Sequence, residues 1–166
     1  MKSIKKRFTP LGFDHITLAC DDCEFWGKRL EWFGFERVKI KVDSDDLFSE
    51  GEYDTYFGSA FSLGRVRVIL VDHGTVLLGK TYIEWFLKTH GNMQALEIGI
   101  EVDSADNAFQ EFRERGMSLA PWIANTKDAF GECRRTEIIT PLDWSFRWKF
   151  VERKNQKTFE DTYRKS

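Results

Sequence analysis

The sequence has little that would carry it to a nucleic acid, a membrane or an oxidising compartment. Its 166 residues hold 25 basic against 27 acidic side chains, a net charge of −2 at pH 7. The electrostatic pull that binds basic proteins to phosphate backbones or anionic lipid is therefore missing. No apolar run approaches the roughly 18 to 20 residues that span a bilayer. The basic start Met1-Lys2-Ser3-Ile4-Lys5-Lys6-Arg7 has no apolar stretch behind it of the kind a signal peptide needs. Cys20, Cys23 and Cys133 are too few, and odd in number, for a disulfide framework. These absences lead us to expect a cytoplasmic protein with neither a nucleic-acid nor a membrane partner. What the chain does have is 42% hydrophobic and 15% aromatic residues, enough to bury the core of one domain or of two small halves sharing a core.

Periodicity orders the chain. Phe13 to Cys20 alternates with period two, with Ile16, Leu18 and Cys20 on one side and His15, Thr17 and Ala19 on the other, which predicts a strand. Asp21 or Asp22 then offers an N-cap, Phe25, Trp26, Leu30 and Phe33 recur at helical spacing, and Gly34 ends the run. Strands follow at Phe35 to Val42, Tyr56 to Leu63 and Arg65 to Asp72, the last two turning at Gly64. From Ala95 the order repeats. Leu96 to Val102 alternates, Asp103-Ser104-Ala105-Asp106 opens a helix carrying Ala108, Phe109 and Phe112, and Gly116 closes it. Segments at Ser118 to Trp122, Arg134 to Thr140 and Ser145 to Glu152 read as the remaining strands.

A repeat of this kind predicts an α+β fold: two βαβββ modules, about 11–73 and 95–153, paired into one curved half-barrel sheet with helices outside. A linking helix at about 80–88 joins the modules, with a basic leader at 1–10 and a polar tail at 154–166. The concave face where the copies meet is the natural place for a ligand.

Gly12-Phe13-Asp14-His15-Ile16 at the head of the first copy, within this arrangement, resembles the vicinal oxygen chelate superfamily of glyoxalases, extradiol dioxygenases and bleomycin-resistance proteins. Phe33-Gly34-Phe35-Glu36, His90-Gly91, Ile100 to Asp106 and Arg113-Glu114-Arg115-Gly116 are similar to the N-terminal half of the 4-hydroxyphenylpyruvate dioxygenases. So are Pro121-Trp122, Asp128, Phe130-Gly131, Ile139-Thr140 and Phe150-Val151-Glu152-Arg153. The resemblance spans about Leu11 to Arg153. It implies a glyoxalase-like fold, and a half that does not carry the iron site of the full-length enzyme.

A metal site of that superfamily implies ligands on the first strand of each copy and on a last strand. His15 stands at the first of these places, but Glu97 stands at its counterpart and Lys149 at the last strand of the second copy. An ammonium cannot ligate a metal unless it loses its proton. Strand parity, taken alone, puts His15, Arg67, Glu97 and Lys149 on one concave face. This predicts a Glu97–Lys149 ion pair in place of a metal, with Arg67 or Arg147 left to anchor an anion.

The expected cleft therefore comprises His15, Thr17, Arg67, Glu97, Arg147 and Lys149, with Trp122 and Phe130 as aromatic walls. No cofactor is favoured. The leading expectation is a binding protein for a small anionic or aromatic molecule. A second reading is a dioxygenase or a glyoxalase-type lyase or isomerase. It would hold Fe(II) or another divalent metal on His15, Glu97 and a carboxylate such as Glu101 or Glu137. A third is a non-catalytic subunit that docks on a separate chain, and a homodimer through Tyr82, Trp85 and Phe86 is compatible with each. Cys20-Asp21-Asp22-Cys23 has a C-x-x-C spacing, but its two carboxylates disfavour thiolate, so no redox role is expected.

Overall fold

The computed structural model describes residues 7–39, 58–76, 79–117, 123–139 and 147–154. The expected strand at 118–122, with Trp122, lies outside these residues, as do the polar tail from 155 and most of the leader.

The chain opens with β1 (Pro10–Ala19) and turns into α1 (Cys23–Trp32). The Asp22 carboxylate accepts from the Phe25 amide at 2.9 Å, satisfying one of the free donors of the first turn. Gly34, at φ +90°, takes the left-handed conformation that stops this helix, and Gly116, at φ +72°, does the same in the second half. Then come β2 (Glu36–Arg37), β3 (Ser59–Leu63), β4 (Val66–Val71) and α2 (Lys80–His90). The second half runs β5 (Gln94–Val102), α3 (Ala105–Glu114), β6 (Ala124–Asp128), β7 (Gly131–Ile139) and β8 (Arg147–Arg153). The Ser104 side chain caps α3 through the Asn107 amide, as Asp22 caps α1.

All eight strands join one sheet in the order β2-β3-β4-β1-β5-β8-β7-β6. The two halves meet at the antiparallel β1–β5 pair, and each of these strands has the last strand of its own half, β4 or β8, parallel on its other side. This is the α+β half-barrel that the repeat predicts, with the glyoxalase-like fold that the resemblance implies.

The convex face is covered by helices. Phe61, Val68 and Leu70 pack with Ile16, Leu18, Trp26 and Leu30 of β1 and α1. Val102, Ala108, Ile138 and Phe150 form the matching core under α3, with Phe112 against it. Phe8 joins this second core in edge contact with Phe112 and Phe150, so the chain enters the fold ahead of Leu11. The third helix, α2, lies on the opposite side, packing Ile83 and Phe86 on Ala19, Val71 and Leu96, where Ala19 shares its face with His15 and Thr17. This corrects the idea that Tyr82, Trp85 and Phe86 form one exposed patch: Phe86 is 1% exposed, and Trp85 faces outward.

Other boundaries also differ. The expected strand Phe35 to Val42 is a two-residue pairing with β3 in the described part, which ends as the Val38 amide donates to the Ala60 carbonyl at 2.8 Å. The strand β6 was not anticipated, because ANTKD has neither alternation nor β-branched content beyond Thr126. It pairs with β7 through a tight turn at Ala129-Phe130.

Candidate functional site

Strands β1, β5, β8 and β7 lie side by side, and register places their concave-face residues in two rows. His15 stands opposite Gly99, Gly99 opposite Lys149, and Lys149 opposite Glu137. In the next row Thr17 stands opposite Glu97 and Glu97 opposite Arg147. Parity thus brings His15, Thr17, Glu97, Arg147 and Lys149 together, as the sequence predicts.

At the centre is one carboxylate oxygen. Glu97 Oε1 accepts from Lys149 Nζ at 2.6 Å and from Thr17 Oγ1 at 2.9 Å, and lies 3.2 Å from His15 Nε2. Burial would raise the Glu97 pKa, but the Lys149 ammonium and the His15 ring outweigh it and hold the carboxylate well below its ordinary range. The other ring nitrogen of His15, Nδ1, is 2.6 Å from Asp14 Oδ2. With a carboxylate at each nitrogen the ring is suited to the doubly protonated form. Burial opposes that charge, yet the hydrogen bonds to Asp14 and Glu97 prevail and raise the pKa above its ordinary value.

Asp14 is fully buried and belongs to a second cluster that the sequence reading did not foresee. Arg153 donates to both of its oxygens, Nε to Oδ1 at 2.8 Å and Nη2 to Oδ2 at 2.6 Å, and reaches Asp128 Oδ1 through Nη1 at 2.7 Å. Arg67 Nη1 donates to Asp14 Oδ1 at 2.9 Å. The Phe130 ring lies against both guanidiniums, 5.3 Å from that of Arg67 and 5.9 Å from that of Arg153, with the His15 ring at 6.3 Å. Arg67 and Phe130 are thus near His15, as expected, and tied to this ion cluster.

Asp14 escaped notice because alternation assigns it to the helix side. A register shift between Phe13 and His15 in the β1–β5 ladder breaks the alternation and brings Asp14 beside His15. The sequence shows no sign of the bulge beyond Gly12 nearby.

Beside these residues opens a cleft of about 190 Å³. Its polar side is His15, Thr17, Glu97, Asp128, Arg135, Glu137, Arg147 and Lys149; Ile69, Val71 and Leu96 form an apolar wall. Two of its charges are poorly matched. Arg147 lies 5.6 Å from the Tyr82 ring of α2, and its Nε is buried with no hydrogen-bond partner. Glu137 is buried, and its nearest cation is Lys149 Nζ at 4.0 Å, beyond hydrogen-bond reach. Arg67 is thus engaged by Asp14, whereas the Arg147 Nε has no acceptor among the described residues.

No protein-family model matches the chain, and no curated protein matches its sequence. Solved structures do match its shape. A variant of the Streptomyces coelicolor methylmalonyl-CoA epimerase in complex with 2-nitronate-propionyl-CoA superposes with a TM-score of 0.61 at 17% identity, over 87% of this chain and 98% of that one. The methylmalonyl-CoA epimerase of Mycobacterium tuberculosis gives 0.59 at 18%, over 88% and 91%. A hypothetical protein from Bacillus halodurans C-125 gives 0.61 at 14%, over 92% and 99%. The fold is glyoxalase-like.

The glyoxalase-like fold raises the question of a metal, and the donor set of this cleft does not fit one. The Glu97 oxygen already receives Lys149, Thr17 and His15, both nitrogens of His15 face carboxylates, and a cationic nitrogen sits at the centre of the group. Glu101, offered as a further ligand, lies near Asp14, Arg67 and Arg153 and is not among the residues that line the cleft. Burial and then the charge of Asp14 raise its pKa, against the pull of Arg67 and Arg153. No group of three or more ligating side chains suited to a metal occurs among the described residues. The Cys20 and Cys23 sulfurs are 3.7 Å apart, and the neighbouring thiol together with burial pushes the Cys23 pKa up, away from the reactive thiolate. No described helix is long and apolar enough to cross a membrane.

Proposed function

We propose that this chain is a glyoxalase-like binding protein for a small anionic molecule, related to the N-terminal half of the 4-hydroxyphenylpyruvate dioxygenases and working without a metal of its own. The observation that carries the reading is the Lys149–Glu97 pair, 2.6 Å apart at the centre of the cleft. It supplies internally the charge balance that a divalent cation would bring. Arg147 supports the anionic character of the ligand, because a buried guanidinium nitrogen without an acceptor is costly until an acceptor arrives. The Streptomyces coelicolor epimerase that shares the fold is solved with 2-nitronate-propionyl-CoA, which supports a small-molecule role for the fold without assigning that ligand to this chain.

The test combines metal analysis with ligand binding. Protein purified without added metal is expected to hold far less than one equivalent of Fe, Zn, Ni or Mn. Short carboxylates are expected to raise its melting temperature equally with and without EDTA, and Arg147→Ala to abolish the rise. Stoichiometric metal lost on His15→Ala would overturn the proposal.

A further inference from the structure

The mismatch at Glu137 narrows the ligand further, resting on the reading of the cleft as a metal-independent anion site. From the geometry we infer that the ligand is a short aliphatic hydroxycarboxylate, its carboxylate on Arg147 and its hydroxyl between Lys149 and Glu137. Arg147 and Lys149 are two apart on β8 and so share a face, with their backbones about 6.5 Å apart. A guanidinium with a buried, unmatched N–H calls for a planar anion, and carboxylate is the smallest that takes it in a fork.

The next group along must satisfy two residues at once. Lys149 has three N–H donors, of which one goes to Glu97 at 2.6 Å; among the described residues the Glu137 carboxylate has no hydrogen bond. The 4.0 Å between Lys149 Nζ and Glu137 Oε1 is too long for a direct bond, but one oxygen can sit within hydrogen-bond distance of both. A hydroxyl fills this place because it accepts from the ammonium and donates to the carboxylate. A ligand ammonium would meet Lys149 as a like charge. A keto oxygen could accept from Lys149, but it would leave Glu137 without a donor.

Ile69, Val71 and Leu96 call for a few apolar carbons on the remaining side. A space of 190 Å³ equals the liquid volume of about six waters, which suits a molecule of roughly six to nine non-hydrogen atoms.

Calorimetric titration of the full chain in EDTA with 2-hydroxy-3-methylbutanoate, 3-hydroxybutanoate and 3-methylbutanoate tests the inference. At least one hydroxy acid is expected to bind about tenfold or more tightly than the deoxy acid. Arg147→Met should weaken all three by at least about tenfold. Glu137→Leu should remove the preference for the hydroxyl while leaving 3-methylbutanoate binding within about threefold. Should that variant melt too low to titrate, Glu137→Gln keeps the volume, and the preference is still expected to shrink. Equal binding of hydroxy and deoxy acids by the parent, with Arg147 still required, overturns this inference and leaves the anion site standing. Failure of all three acids to bind overturns both.

Discussion

Gly99 stands across the β1–β5 ladder from His15, and a β-carbon there would come within 2.4 Å of the imidazole Nδ1. The histidine ring lies over a residue with no side chain, and this lets it lie between Asp14 and Glu97. Gly99→Ala must push the ring away from both carboxylates, since the neighbouring strands leave it no slack. The expected cost is about 1–3 kcal/mol, read from urea unfolding, together with a change in the His15 ring resonances. Stability within about 0.5 kcal/mol of the parent and unmoved resonances would show that the contact relaxes freely.

Arg153 bonds to both oxygens of a carboxylate that has no access to water. Arg153→Leu leaves Asp14 with Arg67 and His15 but without its bidentate partner, and leaves Asp128 without its guanidinium. Breaking a buried pair from one side costs about 3–5 kcal/mol, and a loss near that size is expected in chemical denaturation. A loss under about 1 kcal/mol would mean that Asp14 takes up a proton or water at little cost.

The pH dependence has two opposite limbs. Burial works against ionisation of Asp14 and Glu97, but their cationic partners hold both pKa values below the ordinary 3.8 and 4.5. Their stabilisation is present above those values and is lost as the pH falls through the folded-state ones. His15 is raised above 6.5, so its contribution is complete below that value and fades as the pH rises through its folded pKa. The denaturation midpoint is therefore expected to be highest between about 4.5 and 6.5 as far as these groups decide it. His15→Gln should flatten the alkaline limb and also weaken the acid one, since the ring helps hold Asp14 and Glu97 down; an unchanged alkaline limb would count against the charged ring.

Lys149 is the residue that makes the cleft unfit for a metal. Lys149→Glu would set a carboxylate beside His15, Glu97 and Glu137, a donor set that suits a divalent cation. Without metal the variant is expected to be less stable than the parent, because like charges are crowded together. Saturating Zn²⁺ should raise its melting temperature by about 5 °C or more, with no rise in the parent. A similar Zn²⁺-dependent rise in the parent would show that Lys149 yields its place.

Parity made the centre of the site legible. Once two strands are known to alternate, His15, Thr17, Glu97, Arg147 and Lys149 must share a face, and the repeat says that the faces meet. Asp14 was hidden by the bulge beside it, since one extra residue reverses the side on which every earlier residue is read. Arg153 and Asp128 were quoted as parts of a family pattern but not as partners, because their pairing depends on how β6, β7 and β8 are aligned, and β6 itself carries no strand signal. Nor could the sequence say which of Arg67 and Arg147 is already taken. That depends on Asp14 engaging Arg67, a contact across 53 positions.

The separation of the partners bears on when the site comes into being. His15 and Glu97 are 82 positions apart, and Asp14 and Arg153 are 139 apart. No fragment formed early in synthesis contains a working part of the cleft, and contacts so distant in sequence slow the folding search. The pocket is finished only when β8 slides in beside β5, after both halves have been made. A molecule held there would draw the whole chain towards completion, and its binding would report that both halves have closed.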